Sequence, residues 1–248
     1  MPERLTQNRI TSDSSRFSLR EEAFNLVKGE DGFYADKVTK EKFSKIDSTA
    51  RPEFQKLAAL ILKGVINVSD IIKVGNNYYS HVQDFENIRS SNTNIMAEMQ
   101  SDIIIIETVL EDNDHTFGDS LRFVPGEDSN FEVHNLRIDR KNGKLNFFDF
   151  GPAFPEEMYT GKENLSELEA LLEENIMSDE FNIYFIKEIL EKKIKILLSL
   201  YKESDFENFK KIIQKSGVKL KKDEQMILFY NIRLRLKALS NVLSRLES

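Results

Sequence analysis

The chain contains no cysteine and no tryptophan, and only three histidines and five prolines in 248 residues. Without cysteine there is neither a disulfide framework nor a thiolate metal site, and the composition agrees with a reducing compartment. His115 and His134 stand outside any H-E-x-x-H spacing, which argues against a zinc-hydrolase centre. No apolar run approaches the roughly 20 residues that span a bilayer. The opening stretch MPERLTQNRITSDSSR also lacks the apolar core of a signal peptide. The expected location is therefore cytoplasmic, or outside the cell by a route that needs no classical signal. With 42 acidic against 35 basic residues the net charge is -7, so general nucleic-acid binding is not expected. No internal repeat or low-complexity tract is evident.

What is present is ample apolar material. Hydrophobic residues make up 40% of the chain and 18 of them are Phe, enough for one large or two small packed domains. Charge is unevenly placed. Residues 209–222, FKKIIQKSGVKLKK, carry Lys210, Lys211, Lys215, Lys219, Lys221 and Lys222 without an acid. This is either a solvated face or a docking patch for an anionic partner or membrane surface.

Residues 1–16 read as a loose polar arm. Short pieces at 17–20 and 23–27 precede a turn at Asp31-Gly32 and a strand over 33–38, which together predict two antiparallel strands. Pro52 opens a helix over 51–65 whose apolar face carries Phe54, Leu57, Leu60, Ile61 and Val65. Runs at 70–74 and 78–85 about Gly75-Asn76-Asn77 predict a second hairpin. From Thr93, the residues Ile95, Met99, Ile103, Ile106 and Leu110 recur at helical spacing, so the isoleucine run is read as helix and not strand. A polar loop over 111–132 leads to short strands at 133–139 and 144–148, and helices follow over 165–176, 180–201, 205–215 and 223–246.

The stretch KLNFFDFGPAF, residues 144–154, ends its strand on Asp149, where Gly151-Pro152 breaks backbone order. Fourteen positions earlier stands Asn135. One carboxylate and one amide oxygen from two neighbouring strands are hard donors suited to Mg²⁺ with room left for water and phosphate.

The element order, a sheet with one helix, a further helix, a polar loop, two strands closed by Asp149-Phe150-Gly151 and a helical remainder, resembles the two-lobed protein-kinase fold. That resemblance implies an α+β protein with a small antiparallel sheet and helix in an N-lobe over 17–88 and a mainly helical C-lobe over 89–248. It also implies ATP and Mg²⁺ as cofactors, with Asp149 and Asn135 as metal ligands. Ala35-Asp36-Lys37 resembles the A-x-K of the kinase strand whose Lys neutralises phosphates, and strand periodicity puts Ala35 and Lys37 on one face. Glu53 is then the helix acid that would hold Lys37. Gly29 and Gly32 bracket the turn where a phosphate loop belongs, although the full G-x-G-x-x-G is missing and Glu30 and Asp31 add negative charge.

Asp114, in EDNDHT, resembles the catalytic Asp of atypical kinases. The family places this Asp close before the metal-binding Asn, whereas Asp114 lies 21 positions before Asn135. The surplus, 117–132, reads as an insertion; Asp128 competes for the role, and Asn130 occupies the expected offset. Asp149-Phe-Gly-Pro-Ala-Phe-Pro is similar to a segment of type II phosphatidylinositol 4-kinases, and Asn113-Asp-His resembles one of HipA-like kinases. The resemblance implies transfer of the γ-phosphate to a protein or lipid hydroxyl. Two alternatives stay open: a pseudokinase that serves as a nucleotide-binding interaction module, and an unrelated α+β scaffold in which the D-F-G is accidental.

Overall fold

In the computed structural model the described residues are 25–82, 85–86, 88–89, 93–112, 130–131, 135–140, 143–177 and 183–246. Short alternating runs build the first sheet. Strands β1 (Leu26–Lys28), β2 (Tyr34–Asp36), β3 (Lys42–Lys45), β4 (Ile71–Val74) and β5 (Asn77–Val82) form five antiparallel strands in the order β1-β2-β3-β5-β4. The two expected hairpins are thus joined by a third element, since β3 pairs with both β2 and β5.

Strand β2 stops two residues earlier than the sequence pattern suggests. The Asp36 side chain takes over the local hydrogen bonding: Oδ1 accepts from the backbone N–H groups of Val38 and Thr39, both at 2.8 Å, and Oδ2 accepts from Asn25 N at 2.9 Å. Those donors, Thr39 foremost, hold the Asp36 carboxyl below its usual range. An aspartate that captures the amides ahead of it closes a turn instead of continuing a strand. The consequence is a correction: Lys37 sits in that turn and shares no strand face with Ala35.

Between β3 and β4 runs α1 (Pro52–Leu62), opened by proline at its first position. It buries Leu57, Ala58, Ile61 and Leu62. The helix ends before 65, because the Val65 and Ile66 amides both return to the Leu62 carbonyl, at 3.0 Å, around Gly64 in the left-handed region.

Helix α2 (Thr93–Leu110) contains the isoleucine run, and Ile103, Ile104, Ile105 and Ile106 are all buried. Successive residues of a helix point to different sides, so this helix is enclosed all round and not on one stripe alone. Strands β6 (Phe85–Glu86), β9 (Leu136–Asp139) and β10 (Lys144–Phe147) form a small sheet in the order β10-β9-β6, and β7 (Ile88–Arg89) pairs with β8 (Asn130–Phe131). Helices α3 (Glu157–Thr160), α4 (Leu165–Met177), α5 (Ile183–Leu200), α6 (Phe206–Ser216) and α7 (Lys222–Arg245) complete the chain. The fold is α+β, an antiparallel sheet with one helix followed by a mainly helical part, as a two-lobed kinase-like arrangement requires. Strands β3, β6, β7 and β8 and helix α3 are additions to the sequence reading. Among the described residues, no helix is long and apolar enough to cross a membrane.

One buried cluster runs from α1 through α2 and the β9–β10 hairpin to α7. Cross-links fasten it: the Tyr201 hydroxyl donates to Ile61 O at 2.9 Å, and the Tyr78 hydroxyl donates to Ser216 O at 3.0 Å. The C-terminal turns of α1 and α6 are therefore each held by a buried phenol. The residues 1–16 read as an arm, and the piece at 17–20, lie outside the described residues.

Candidate functional site

Six non-glycine residues have positive φ among the described residues, and five of them gather where the β9–β10 hairpin, the start of α1 and the end of α2 meet. They are Arg51 (48°), Glu111 (52°), Asn135 (58°), Asp149 (60°) and Phe154 (58°). Backbone hydrogen bonds tie them together. Phe148 N donates to Asn135 O at 3.1 Å, and Phe154 N donates to Leu110 O at 2.8 Å, next to Glu111. The left-handed region costs a side-chain-bearing residue about 1–3 kcal/mol and persists only where surroundings impose it. Such a concentration marks a place shaped for something other than stability.

The hairpin explains why Asn135 and Asp149 are neighbours in the fold. In the β9–β10 register Phe147 faces Leu136, so Asn135 stands opposite Phe148 and Asp149 is the next residue out. Phe147 is pinned from behind by residues 67–69, its N donating to Asn67 O at 3.0 Å and its O accepting from Ser69 N at 2.9 Å. Buried Phe147, Phe150 and Phe154 flank the exposed Asp149, so three rings in the core hold one carboxylate at the surface. Asn135 is buried.

Helix α1 grips the other side of this segment. The Gln55 amide donates to Asp149 Oδ1 at 3.0 Å and to Ala50 O at 2.8 Å. One turn earlier, the Arg51 guanidinium donates to Ala153 O at 3.0 Å and Phe154 O at 2.7 Å, and lies 4.2 Å from the centre of the Phe54 ring. The stretch Asp149 to Phe154 is thus bolted to the first turn of α1 at both ends.

Behind the site is a buried charge network. Arg235 of α7 chelates Glu163 through Nε (2.7 and 2.8 Å) and Nη2, donates through Nη2 to Glu111 Oε2 at 2.7 Å, and donates through Nη1 to Thr108 O at 3.1 Å. Burial pushes the Glu111 carboxyl up, and Arg235 offsets part of that. Asn231 adds bonds to Met158 O (3.0 Å) and Gly161 O (2.7 Å). The end of α2 and the segment after the site are therefore clamped to α7.

The remaining sequence candidates are dispersed. Lys37 is exposed in the turn after β2; its amide donates to Asn25 O at 3.1 Å and its carbonyl accepts from Lys40 Nζ at 2.8 Å. Glu53 lies in the first turn of α1, half-buried. No ion pair joins Lys37 to Glu53 among the described residues. Gly29 and Gly32 form the β1–β2 turn, with Gly29 N donating to Phe33 O at 2.7 Å and Gly32 at φ 83°. Asp31 of that turn pairs with Lys42 at 2.8 Å, and Asp31, Ala35 and Lys42 help line an open cavity of about 410 Å³. Asp114 and its competitor Asp128 lie outside the described residues, as do Asn113, His115 and His134. Asn130 belongs to β8.

Two residues were not singled out by sequence reasoning. Lys42 faces Ala35 across the β2–β3 pair and so puts a cation on the Ala35 side of the sheet. Its signal was the alternating stretch KFSK, too short to stand out as a strand. Gln55 had no signal, since its partner lies 94 residues away.

Asn135 and Asp149 fit Mg²⁺ held jointly with phosphates. The donors are hard oxygens, and Mg²⁺ ordinarily takes one or two carboxylates and completes its shell with water and phosphate. No cluster of three or more His, Cys, Asp or Glu suited to a metal occurs among the described residues, so a fully protein-enclosed metal cage is not what they offer.

No family model matches the chain, and no curated protein does. Among solved structures, the chain is similar to a Helicobacter pylori proinflammatory kinase, CtkA, at 10% sequence identity and a TM-score of 0.45, over 91% of this chain and 94% of that one.

Proposed function

We propose that the chain is a kinase-like phosphotransferase that uses ATP and Mg²⁺, with Asp149 and Asn135 as the metal-binding residues. The observation that carries this reading is the pairing of an acidic and an amide residue, both left-handed, at the open end of one hairpin. Bound Mg²⁺·ATP would supply the transferable γ-phosphoryl group and neutralise its charge. The chain's own contribution is placement. Asp149 stands exposed on a braced turn, and Asn135, opposite Phe148 in the same hairpin, would supply the amide oxygen. The buried aromatic residues Phe147, Phe150 and Phe154 keep the turn from relaxing. Lys42 is a cation that the first sheet offers to phosphate, after exchanging Asp31 for the ligand, and Lys37 would act from the turn after β2. Glu53 and the Gly29–Gly32 turn complete the nucleotide side of the reading, and Asp114 is its acceptor of the hydroxyl proton. Catalysis on this reading is positioning and charge neutralisation, without a covalent enzyme intermediate.

The acceptor is a protein or lipid hydroxyl, in keeping with the resemblance to HipA-like and type II phosphatidylinositol 4-kinases. Lys211, Lys219 and Lys222 are exposed around the end of α6 and offer an anionic partner a face, whereas Lys210 and Lys221 pair with Glu207 and Glu224. A second reading, a nucleotide-binding pseudokinase, is favoured by the acids of the Gly29–Gly32 turn, which oppose a triphosphate, and by the Asp31–Lys42 pair.

Melting of wild type and Asp149→Ala with and without Mg²⁺·ATP tests the site. Stabilisation of wild type alone is expected, and no shift in wild type defeats both readings. Mass spectrometry after incubation with Mg²⁺·ATP and a panel of protein, lipid and small-molecule acceptors separates them: a shift without any phosphate transfer selects the pseudokinase.

A further inference from the structure

We infer that Gln55 is a positioning residue for the metal site: its side-chain amide fixes the rotamer of the Asp149 carboxylate and so sets the affinity for Mg²⁺. The inference rests on the reading of Asp149 as a metal ligand. It begins from a buried polar side chain on a helix that otherwise buries apolar ones. Gln55 is 3% exposed, and α1 buries Leu57, Ala58, Ala59, Ile61 and Leu62 around it.

The orientation of the amide is fixed by its partners. Its two contacts, Ala50 O at 2.8 Å and Asp149 Oδ1 at 3.0 Å, are both pure acceptors, so the nitrogen and not the oxygen must face them. Both hydrogens of the NH₂ group are consequently spoken for, and the group cannot rotate without taking this donor from the half-buried Ala50 carbonyl. Asp149 Oδ1 is thereby held, on a residue that is itself exposed. A carboxylate with one oxygen bound to a neutral donor stays a full anion. It loses rotational freedom without losing charge, which is what a ligand for a cation demanding near-ideal geometry needs.

Close packing keeps the contact in place. A side chain at Gly151 would come within 3.5 Å of Asp149 Oδ1 and 3.6 Å of both Ala50 O and the Gln55 amide nitrogen, so the backbone at Gly151 covers this small polar triangle. Arg51, four residues before Gln55 on the same face of the helix start, ties Ala153 and Phe154 to α1. A neutral amide donor satisfies Asp149 without competing with the metal for it; an Arg or Lys in its place would form an ion pair that Mg²⁺ had to break.

The test is an Mg²⁺ titration at saturating ATP, followed by the melting temperature of wild type, Gln55→Met, Asp149→Ala and the double variant, each referred to its own ligand-free value. Gln55→Met is expected to raise the half-saturating Mg²⁺ concentration about tenfold or more, the usual effect of losing a hydrogen bond to a metal ligand. The half-saturating ATP concentration at saturating Mg²⁺ should move by less than about twofold. Combined with Asp149→Ala, Gln55→Met should change the Mg²⁺ response no further, since the two act through one group. A lower ligand-free melting temperature with an unchanged Mg²⁺ half-point overturns the inference and leaves Gln55 a packing residue. No Mg²⁺·ATP effect in wild type overturns the nucleotide reading, and this inference with it. A second measurement needs no variant of Gln55 and no nucleotide: the assigned side-chain amide resonances of Gln55 should shift on Asp149→Ala, and unmoved resonances overturn the contact itself.

Discussion

Replacing Lys193 by Met should destabilise the protein strongly at pH 8 and far less at pH 5. Lys193 of α5 forms an ion pair with Asp102 of α2, where these two helices pack, and Glu98 lies 3.5 Å from the same ammonium group. The Asp102 and Lys193 side chains are only 4% and 11% exposed. Burial pushes the Asp102 carboxyl up to about 7, and the attraction of Lys193 offsets only part of the desolvation. Its unfolded value is about 3.9. A raised folded value means that the native state holds the proton more tightly. The associated stability is therefore complete below about pH 4 and is lost as pH rises through 7. A difference of about three units sets an upper bound near 4 kcal/mol for that loss. Without Lys193 an ionised Asp102 is a lone buried charge, and removing one partner of such a pair costs about 3–5 kcal/mol. At pH 5 the carboxyl is protonated and most of this cost disappears. Urea denaturation midpoints at both pH values measure the difference. Replacing both partners, Asp102→Leu with Lys193→Met, should restore wild-type stability or exceed it at pH 8, because matched apolar side chains need no desolvation. A pH-independent cost, or a double variant as unstable as the single one, would show that the pair is not a desolvated charge couple.

Arg235→Met should cost about 3–5 kcal/mol, since it leaves Glu163 and Glu111 without their cation; Arg235→Lys keeps the charge but not the fork, and should recover only part of that in a urea titration. Gly217 closes α6 at φ 88°, and a Cβ there would strike the Tyr78 hydroxyl. Gly217→Ala should therefore cost more than the roughly 1–2 kcal/mol of a left-handed alanine, and its cost should shrink in a Tyr78→Phe background when midpoints of the four proteins are compared. Tyr201→Phe strips the Ile61 carbonyl of its donor at the end of α1 and should lower stability by about 1–3 kcal/mol, measured by calorimetry.

The long helices could be read from the sequence because their information is local. The isoleucine spacing of α2 falls within one stretch of chain, and the observed ends of α6 and α7 lie one residue from those expected. Strand β3 could not be read in this way. KFSK has one buried residue, Phe43, and becomes a strand through pairing with β5, more than thirty positions on. The end of β2 was missed for the opposite reason, a local one: the hydrogen bonds of Asp36 to the amides ahead of it outweigh the alternation that continues through Lys37. At the site, the proximity of Asn135 and Asp149 follows from a short hairpin that spacing alone suggests. The Gln55 contact joins two segments with no shared pattern, and nothing in either predicts the other.

This division has a physical counterpart in how the site is built. Two neighbouring residues can be delivered by one hairpin, because two strands in register place their flanking residues side by side whatever the rest of the chain does. Holding that pair in a left-handed backbone is a different task. It falls to α1, which reaches Asp149 through Gln55 and the following carbonyls through Arg51, and α1 is itself fixed at its other end by Tyr201. The strain at Asp149 and Phe154 is thus borne by the common core that joins α1 to the helical part, and not by the turn alone. Helix α1 is packed against α6 as well as against the sheet. Any motion that swung it with the sheet would have to break buried contacts and the Gln55 and Arg51 bonds together. The geometry at Asp149 is therefore a property of the whole folded core and not of the turn alone.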